Sequence, residues 1–244
     1  MNISYSFFLT FFSGFSTIIG SLLIFFKFKN IKKVIISSLS FASGVMISIS
    51  IFDLFPESIK LFKLNYNLFI SILLFLIFFI LGSLIIVIIN KIIPQNNNLY
   101  KIGIISMIGI MLHNIPEGIL TFVTSSINKK LGLSMAMAIS MHNIPEGISI
   151  SIPIYYSTKS KIKAVFYCFI SALSEVFGAL ITYIFLYNYI NDIFIASILS
   201  LVCGIMSYIS LFELIPEILS YKNKKLFYIF FIVGVIFMLI NVIL

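Results

Sequence analysis

Windows of about 20 apolar residues recur eight times along this chain, over approximately residues 5–26, 34–56, 67–90, 102–123, 131–155, 163–187, 193–217 and 226–244. A helix of that length crosses the roughly 30 Å hydrocarbon core of a bilayer. Inside lipid every backbone N–H and C=O must find its partner within the segment, which leaves the helix as the open choice for such windows. With 61% hydrophobic and 10% charged residues, the chain lies far from the balance of a soluble domain. The expectation is an all-α membrane protein of eight transmembrane helices, with residues 1–244 forming a single integral-membrane domain. The first window is too long for a cleavable signal peptide and lacks a basic leading region and a small-residue cleavage site. The longest connection, Pro94 to Leu99 (PQNNNL), is short and polar, and no glycine-rich phosphate loop or ATPase-sized module is present. Transport by such a chain is therefore driven by gradients or passive.

The net charge of +8 comes from 16 basic residues, all lysine, against eight acidic ones. Its placement speaks against nucleic-acid binding. Twelve lysines fall on one side of the expected topology (Lys27, Lys29, Lys32, Lys33, Lys91, Lys101, Lys159, Lys161, Lys163, Lys222, Lys224 and Lys225), and four on the other (Lys60, Lys63, Lys129 and Lys130). Lysine-rich loops stay in the cytoplasm, so both termini are expected outside it, in a multi-pass protein of the cell (inner, cytoplasmic) membrane.

The acidic residues behave in the opposite way. Asp192 reads as an ordinary loop residue, whereas Asp53, Glu57, Glu117, Glu146, Glu175, Glu213 and Glu217 lie within apolar windows or at their ends. A carboxylate at the centre of a membrane helix costs roughly 2.5 to 3.5 kcal/mol on insertion scales, so each is a functional candidate. Two of them belong to the hexapeptide HNIPEG, which occurs at His113 to Gly118 and again at His142 to Gly147 and contains the only two histidines of the chain.

A second duplication frames the first. Residues 43–57 (SGVMISISIFDLFPE) and 203–217 (CGIMSYISLFELIPE) share eight of 15 positions without a gap. The expected topology runs these two windows in opposite directions across the membrane, and does the same for the two HNIPEG windows. The simplest arrangement is an inverted repeat: helices 1–3 correspond to helices 6–8 about a two-fold axis in the membrane plane, and helices 4 and 5 exchange with each other. A midplane site between inverted repeats is a hallmark of secondary transporters.

Positions i and i+4 of a helix share a face, with i+3 nearby. His113, Asn114 and Glu117 thus point together, as do His142, Asn143 and Glu146 on the neighbouring antiparallel helix. Facing each other they offer two imidazoles, two carboxylates and two amide oxygens. Zinc accepts imidazole nitrogen and carboxylate oxygen, and the mixed set also suits iron and other first-row divalent ions. Pro116 and Pro145 free the carbonyls of Leu112 and Met141, and Gly118 and Gly147 allow close helix approach. Glu175, among the small residues Ser171, Ala172, Ser174, Gly178 and Ala179, is read as a further ligand rather than a protonated packing residue. Asp53 with Glu57, and Glu213 with Glu217, are either acidic vestibules or solvated helix ends. Cys168 and Cys203 read as small apolar packing.

Two other classes of function compete. An intramembrane metallohydrolase would place His-Glu-x-x-His on a helix, but here the fourth residue after each histidine is glutamate. A metal-sensing receptor without transport would need the same ligands but no flux.

The doubled motif, Glu175 and the FDLFPE and FELIPE helices resemble the ZIP (zinc–iron permease) family, in particular its bacterial branch, over essentially the whole chain. The resemblance implies a ZIP-type 3+2+3 arrangement of helices, zinc uptake into the cytoplasm and a homodimer. It implies no enzymatic activity and no cofactor, the metal being cargo: Zn2+, with Fe2+, Mn2+, Co2+ and Cd2+ as further candidates. It also implies a binuclear midplane site, with His113, Glu117, His142 and Glu146 at one metal, Asn114, Asn143 and Glu175 completing the second, and Glu117 and Glu146 bridging. A bundle of helices 1, 4, 5 and 6 would slide against the rest. Val176 stands where relatives often have proline after the helix 6 glutamate, which puts a local kink there in question, and the loop between helices 3 and 4 has no histidine.

Overall fold

The computed structural model describes residues 3–94, 97–186 and 189–243. Gln95 and Asn96 of the PQNNNL connection, and the outermost residues at both termini, lie outside this range. Among the described residues there are eight long helical passes: α1 (Ile3–Phe25), α2 (Ile31–Phe62), α3 (Leu68–Ile92), α4 (Asn98–Ile127), α5 (Lys129–Thr158), α6 (Lys161–Phe185), α7 (Asp192–Ser220) and α8 (Lys224–Ile243). Seven are long and apolar enough to cross a membrane on composition alone. The exception is α5, which holds His142, Asn143, Glu146 and several buried serines and packs against α1, α2, α4 and α6. Its surroundings are protein, so its sequence can be polar.

The helix starts have a common cause. Asn30, Asn67, Asn97, Asn128, Asn191 and Asn223 precede α2, α3, α4, α5, α7 and α8, and Ser160 precedes α6; each side-chain oxygen accepts a backbone N–H of the first turn. Each such cap stabilises a helix by about 1 kcal/mol. Asp192, expected in a loop, is the first residue of α7, where a carboxylate favours the positive end of the helix dipole.

Packing divides the helices into two groups. Helices α1, α4, α5 and α6 pack closely on one another, while α2 packs on α8, α3 on α7, and the end of α2 on α7. The groups meet mainly where α2 touches α5 and α4 touches α7. Only 17% of the apolar windows of α3 and α8 is buried, against 78% of that of α2. Helices α3 and α8 therefore present the broad apolar faces that lipid requires.

The expected inverted repeat is present in the contacts. Exchanging α1 with α6, α2 with α7, α3 with α8 and α4 with α5 turns α1 on α5 into α6 on α4, and α2 on α8 into α7 on α3, both of which occur. The pairs that map onto themselves run antiparallel, as a two-fold axis across the helices demands. In α2 and α7, Cys203 bonds the Ser50 carbonyl and Ser210 bonds the Ser43 carbonyl. In α1 and α6, Phe7 meets Tyr183 and Phe15 meets Phe169. Both α2 and α7 widen into a π-type turn, at Ser50–Leu54 and Ile209–Leu214, just before their Pro-Glu pairs.

Glycines seat the helices that carry the motifs. A Cβ on Gly118 of α4 would collide with the Glu175 carbonyl, and one on Gly178 of α6 with the Ile115 carbonyl. The crossing of α5 and α1 repeats this at symmetric positions: Gly147 faces the Thr17 carbonyl and Gly20 that of Ile144. Without side chains at these points the backbones approach closely, which fixes the depth of both HNIPEG copies.

Candidate metal site

Both HNIPEG segments remain helical through Pro116 and Pro145. Because α4 and α5 are antiparallel, His113 lies opposite Glu146 and Glu117 opposite His142. The Nε2 atoms of His142 and His113 lie 2.6 and 3.0 Å from the same atom, Glu117 Oε1. His113 Nε2 is also 3.2 Å from Glu146 Oε1, and the two ring centres are 6.1 Å apart. His113, Glu117 and His142 each offer a ligand atom within 4.8 Å of the others. All four side chains are buried. This juxtaposition was expected from the spacing, and it converges on one carboxylate oxygen.

Asn114, Asn143 and Glu175 form a second group beside it. Asn143 Nδ2 donates to the Ser13 carbonyl at 2.9 Å and to Glu175 Oε2 at 3.0 Å, and the Ser13 hydroxyl donates to Glu175 Oε1. Asn114 Nδ2 donates to the Ser171 carbonyl at 3.2 Å. The two amides are thus anchored by their nitrogens to symmetry-related carbonyls, since Ser13 of α1 and Ser171 of α6 correspond. Helix α6 passes Glu175 and Val176 as continuous α-helix.

Several buried oxygens in this region have no hydrogen-bond partner: Glu117 Oε2, Glu146 Oε2, Asn114 Oδ1 and Asn143 Oδ1. Leaving such atoms unpaired in a dry interior is costly. Anionic and amide oxygens with free lone pairs, beside imidazole nitrogens, form a donor set for a divalent cation of intermediate softness. Cys168 and Cys203 are buried, with their thiols directed at the Gly147 and Ser50 carbonyls.

A cleft of about 100 Å³ reaches this cluster. Asp53 and Glu57 of α2 line it, as do His113, Glu117 and His142. Their symmetry mates at the far end of the molecule are differently placed. Glu213 and Glu217 of α7 are each 8% exposed, the first bonded by Asn90 of α3, the second by Asn98 of α4 at 3.0 Å. Lys101 of α4 is 6% exposed, while its repeat counterpart Lys130 of α5 is exposed. Access to the His/Glu cluster is therefore from the α2 end, and the α7 end is packed.

Ser13 was not foreseen from the sequence. The signal was present: Ser13, Ser16 and Gly20 recur as Ser171, Ser174 and Gly178, a spacing shared by α1 and α6. In that register Thr17 takes the place of Glu175.

An eight-helix inverted repeat with ionisable residues facing one another inside two antiparallel central helices defines a polytopic membrane transporter. The profile of the ZIP zinc transporter family matches residues 93–241. The chain is similar to the zinc transporter ZupT of Clostridium perfringens, 36% identical over 279 aligned positions that cover 100% of this chain and 96% of the relative. It is likewise similar to the ZupT proteins of Campylobacter jejuni (38% identical, 88% and 87% covered) and Streptococcus mutans (37% identical, 98% and 97% covered). The chain belongs to the ZIP zinc transporter family. It is a transporter and not an enzyme, and metal is cargo in this family.

Proposed function

We propose that this chain moves divalent metal, zinc foremost, into the cytoplasm, and that the ion passes between α4, α5 and α6. What chiefly supports the reading is Glu117 Oε1, contacted by imidazole nitrogens from two helices at 2.6 and 3.0 Å. Buried imidazoles aimed at a carboxylate are poised to exchange that contact for a cation, which would offset the burial of every group involved. The naming of the relatives as zinc transporters supports the choice of ion.

In this reading His113, Glu117, His142 and Glu146 bind one ion. Asn114, Asn143 and Glu175 complete a second position, and Glu117 and Glu146 bridge the two. The partnerless oxygens of both asparagines and both glutamates support that division. Asp53 and Glu57 collect cations at the entrance, and Glu213 and Glu217 receive them at the exit. The lysine distribution supports a cell-membrane protein with both termini outside the cytoplasm, its 244 residues forming one membrane domain. The functional unit is a homodimer.

The test is zinc flux into proteoliposomes holding a fluorescent zinc indicator. Wild-type protein is expected to carry zinc, and Glu117→Ala and Glu146→Ala to reach the membrane but carry none. Undiminished flux in the double variant would overturn the reading.

A further inference from the structure

We infer that Ser13 of α1 is a positioning residue for the ion, acting through Glu175 and Asn143; the inference rests on the transport reading above. Ser13 is wholly buried and meets both side chains with two different groups. Its hydroxyl donates to Glu175 Oε1, and its backbone carbonyl accepts from Asn143 Nδ2 at 2.9 Å. The second Asn143 amide proton goes to Glu175 Oε2 at 3.0 Å. Each carboxylate oxygen accepts one of these bonds and keeps lone pairs for an ion, whereas both amide protons are used, so the asparagine can present only its oxygen, Oδ1, elsewhere. That oxygen is buried and has no hydrogen-bond partner. Ser13 thus decides which way the amide faces and where the carboxylate rests.

The symmetric half shows what the arrangement is without its acid. Ser171 corresponds to Ser13, and its carbonyl accepts from Asn114 Nδ2 at 3.2 Å. At the position of Glu175 this half has Thr17, and both the Ser171 and Thr17 hydroxyls are buried without partners. The carbonyl–amide contact therefore belongs to the scaffold of both halves, whereas the hydroxyl–carboxylate contact occurs in one. Only there does a serine side chain act on a candidate ligand, holding its carboxyl group in place.

Groups that orient ligands of a metal typically change its affinity by about 10- to 100-fold when removed. Ser13→Ala deletes the hydroxyl but keeps the backbone carbonyl. The experiment measures zinc and manganese uptake into proteoliposomes for wild type, Ser13→Ala, Glu175→Gln and the double variant, fitting half-saturating concentration and maximal rate separately. The expected result for Ser13→Ala is a rise in half-saturating zinc of on the order of tenfold, with maximal rate within about twofold. In the Glu175→Gln background, Ser13→Ala is expected to add little. Additive effects, or an unchanged half-saturation in Ser13→Ala, would overturn the inference while leaving zinc transport standing. A wild-type protein that carries neither ion would remove both. Should Ser13→Ala fail to insert, Ser13→Cys, similar in shape with a weak donor, provides the same comparison.

Discussion

His142 of α5 reaches across to α4 and places its Nε2 2.6 Å from Glu117 Oε1, closer than His113 of the same helix, which lies 3.0 Å from that oxygen. The inter-helix contact is thus tighter than the i,i+4 contact within α4. Glu117 is the point at which the two motif copies meet. Its removal would take from His142 its carboxylate partner and leave His113 with Glu146 alone, whereas removal of His113 leaves the His142–Glu117 pair in place. Zinc uptake is expected to fall at least 100-fold in Glu117→Ala and to drop less in His113→Ala, a ranking set by how many ligands each deletion strands. Parallel initial-rate measurements at equal membrane protein content test the order; equal losses would contradict it.

The glycine crossings lead to a second prediction. An added methyl at Gly118 meets the Glu175 backbone, and at Gly147 the Thr17 backbone; at Gly109 it meets the end of the Ile209 side chain. Backbone cannot yield as a side-chain tip can. Gly118→Ala and Gly147→Ala are expected to destabilise the bundle by about 1–3 kcal/mol, and Gly109→Ala by less. Thermal unfolding of detergent-solubilised protein should rank them so, and the two symmetric variants should fall close together.

Much of this arrangement was legible in the sequence because the membrane makes polarity expensive. Each buried acid stood out against an apolar background, and the duplication of HNIPEG announced both the antiparallel pairing and the face it presents. The FDLFPE and FELIPE copies gave the symmetry axis for the same reason. What stayed hidden is carried by residues with no such contrast. Ser13 is one of many serines, and most buried serines here bond a carbonyl of their own preceding turn, as Ser40, Ser43 and Ser48 do. Only its position opposite Glu175 distinguishes it, and that depends on the α1–α6 packing. The asparagines that cap most of the helices likewise lie in polar connections, where one more amide carries no contrast. The difference between the two ends of the molecule is a property of conformation, and two symmetric sequences cannot express it.

That difference carries a third prediction. Asn98 of α4 bonds Glu217 of α7, so it ties the four-helix group holding the site to the other group at the packed end. Asn90 bonds Glu213 from within the second group, and buried Lys101 stands on α4 nearby in the chain. Asn98→Ala removes this hydrogen bond between the groups and should loosen this end. Hydrogen–deuterium exchange over the end of α7, residues 212–220, is expected to rise severalfold in Asn98→Ala and to rise less in Asn90→Ala. Unchanged protection in Asn98→Ala would show that apolar packing alone holds the end shut.

The cysteines give a prediction of the opposite sign. A transporter for a soft ion such as copper(I) would commit its thiolates to the pathway. Here Cys168 gives its S–H to the Gly147 carbonyl, and Cys203 gives its S–H to the Ser50 carbonyl, at 3.4 and 3.3 Å. Serine supplies a hydroxyl donor of similar shape at both positions. Cys168→Ser and Cys203→Ser, singly and together, should carry zinc within about twofold of wild type, since neither substitution strands a buried acceptor. The contact of Cys168 with Gly147 makes it the more exacting case, because Gly147 closes the second motif and sits where α5 meets α1. A large loss in Cys168→Ser with Cys203→Ser unaffected would mean that the thiol reaches the ion. Cadmium, which favours sulfur more strongly than zinc does, would then lose more than zinc in the same variant, and measuring the two ions side by side separates ligation from packing.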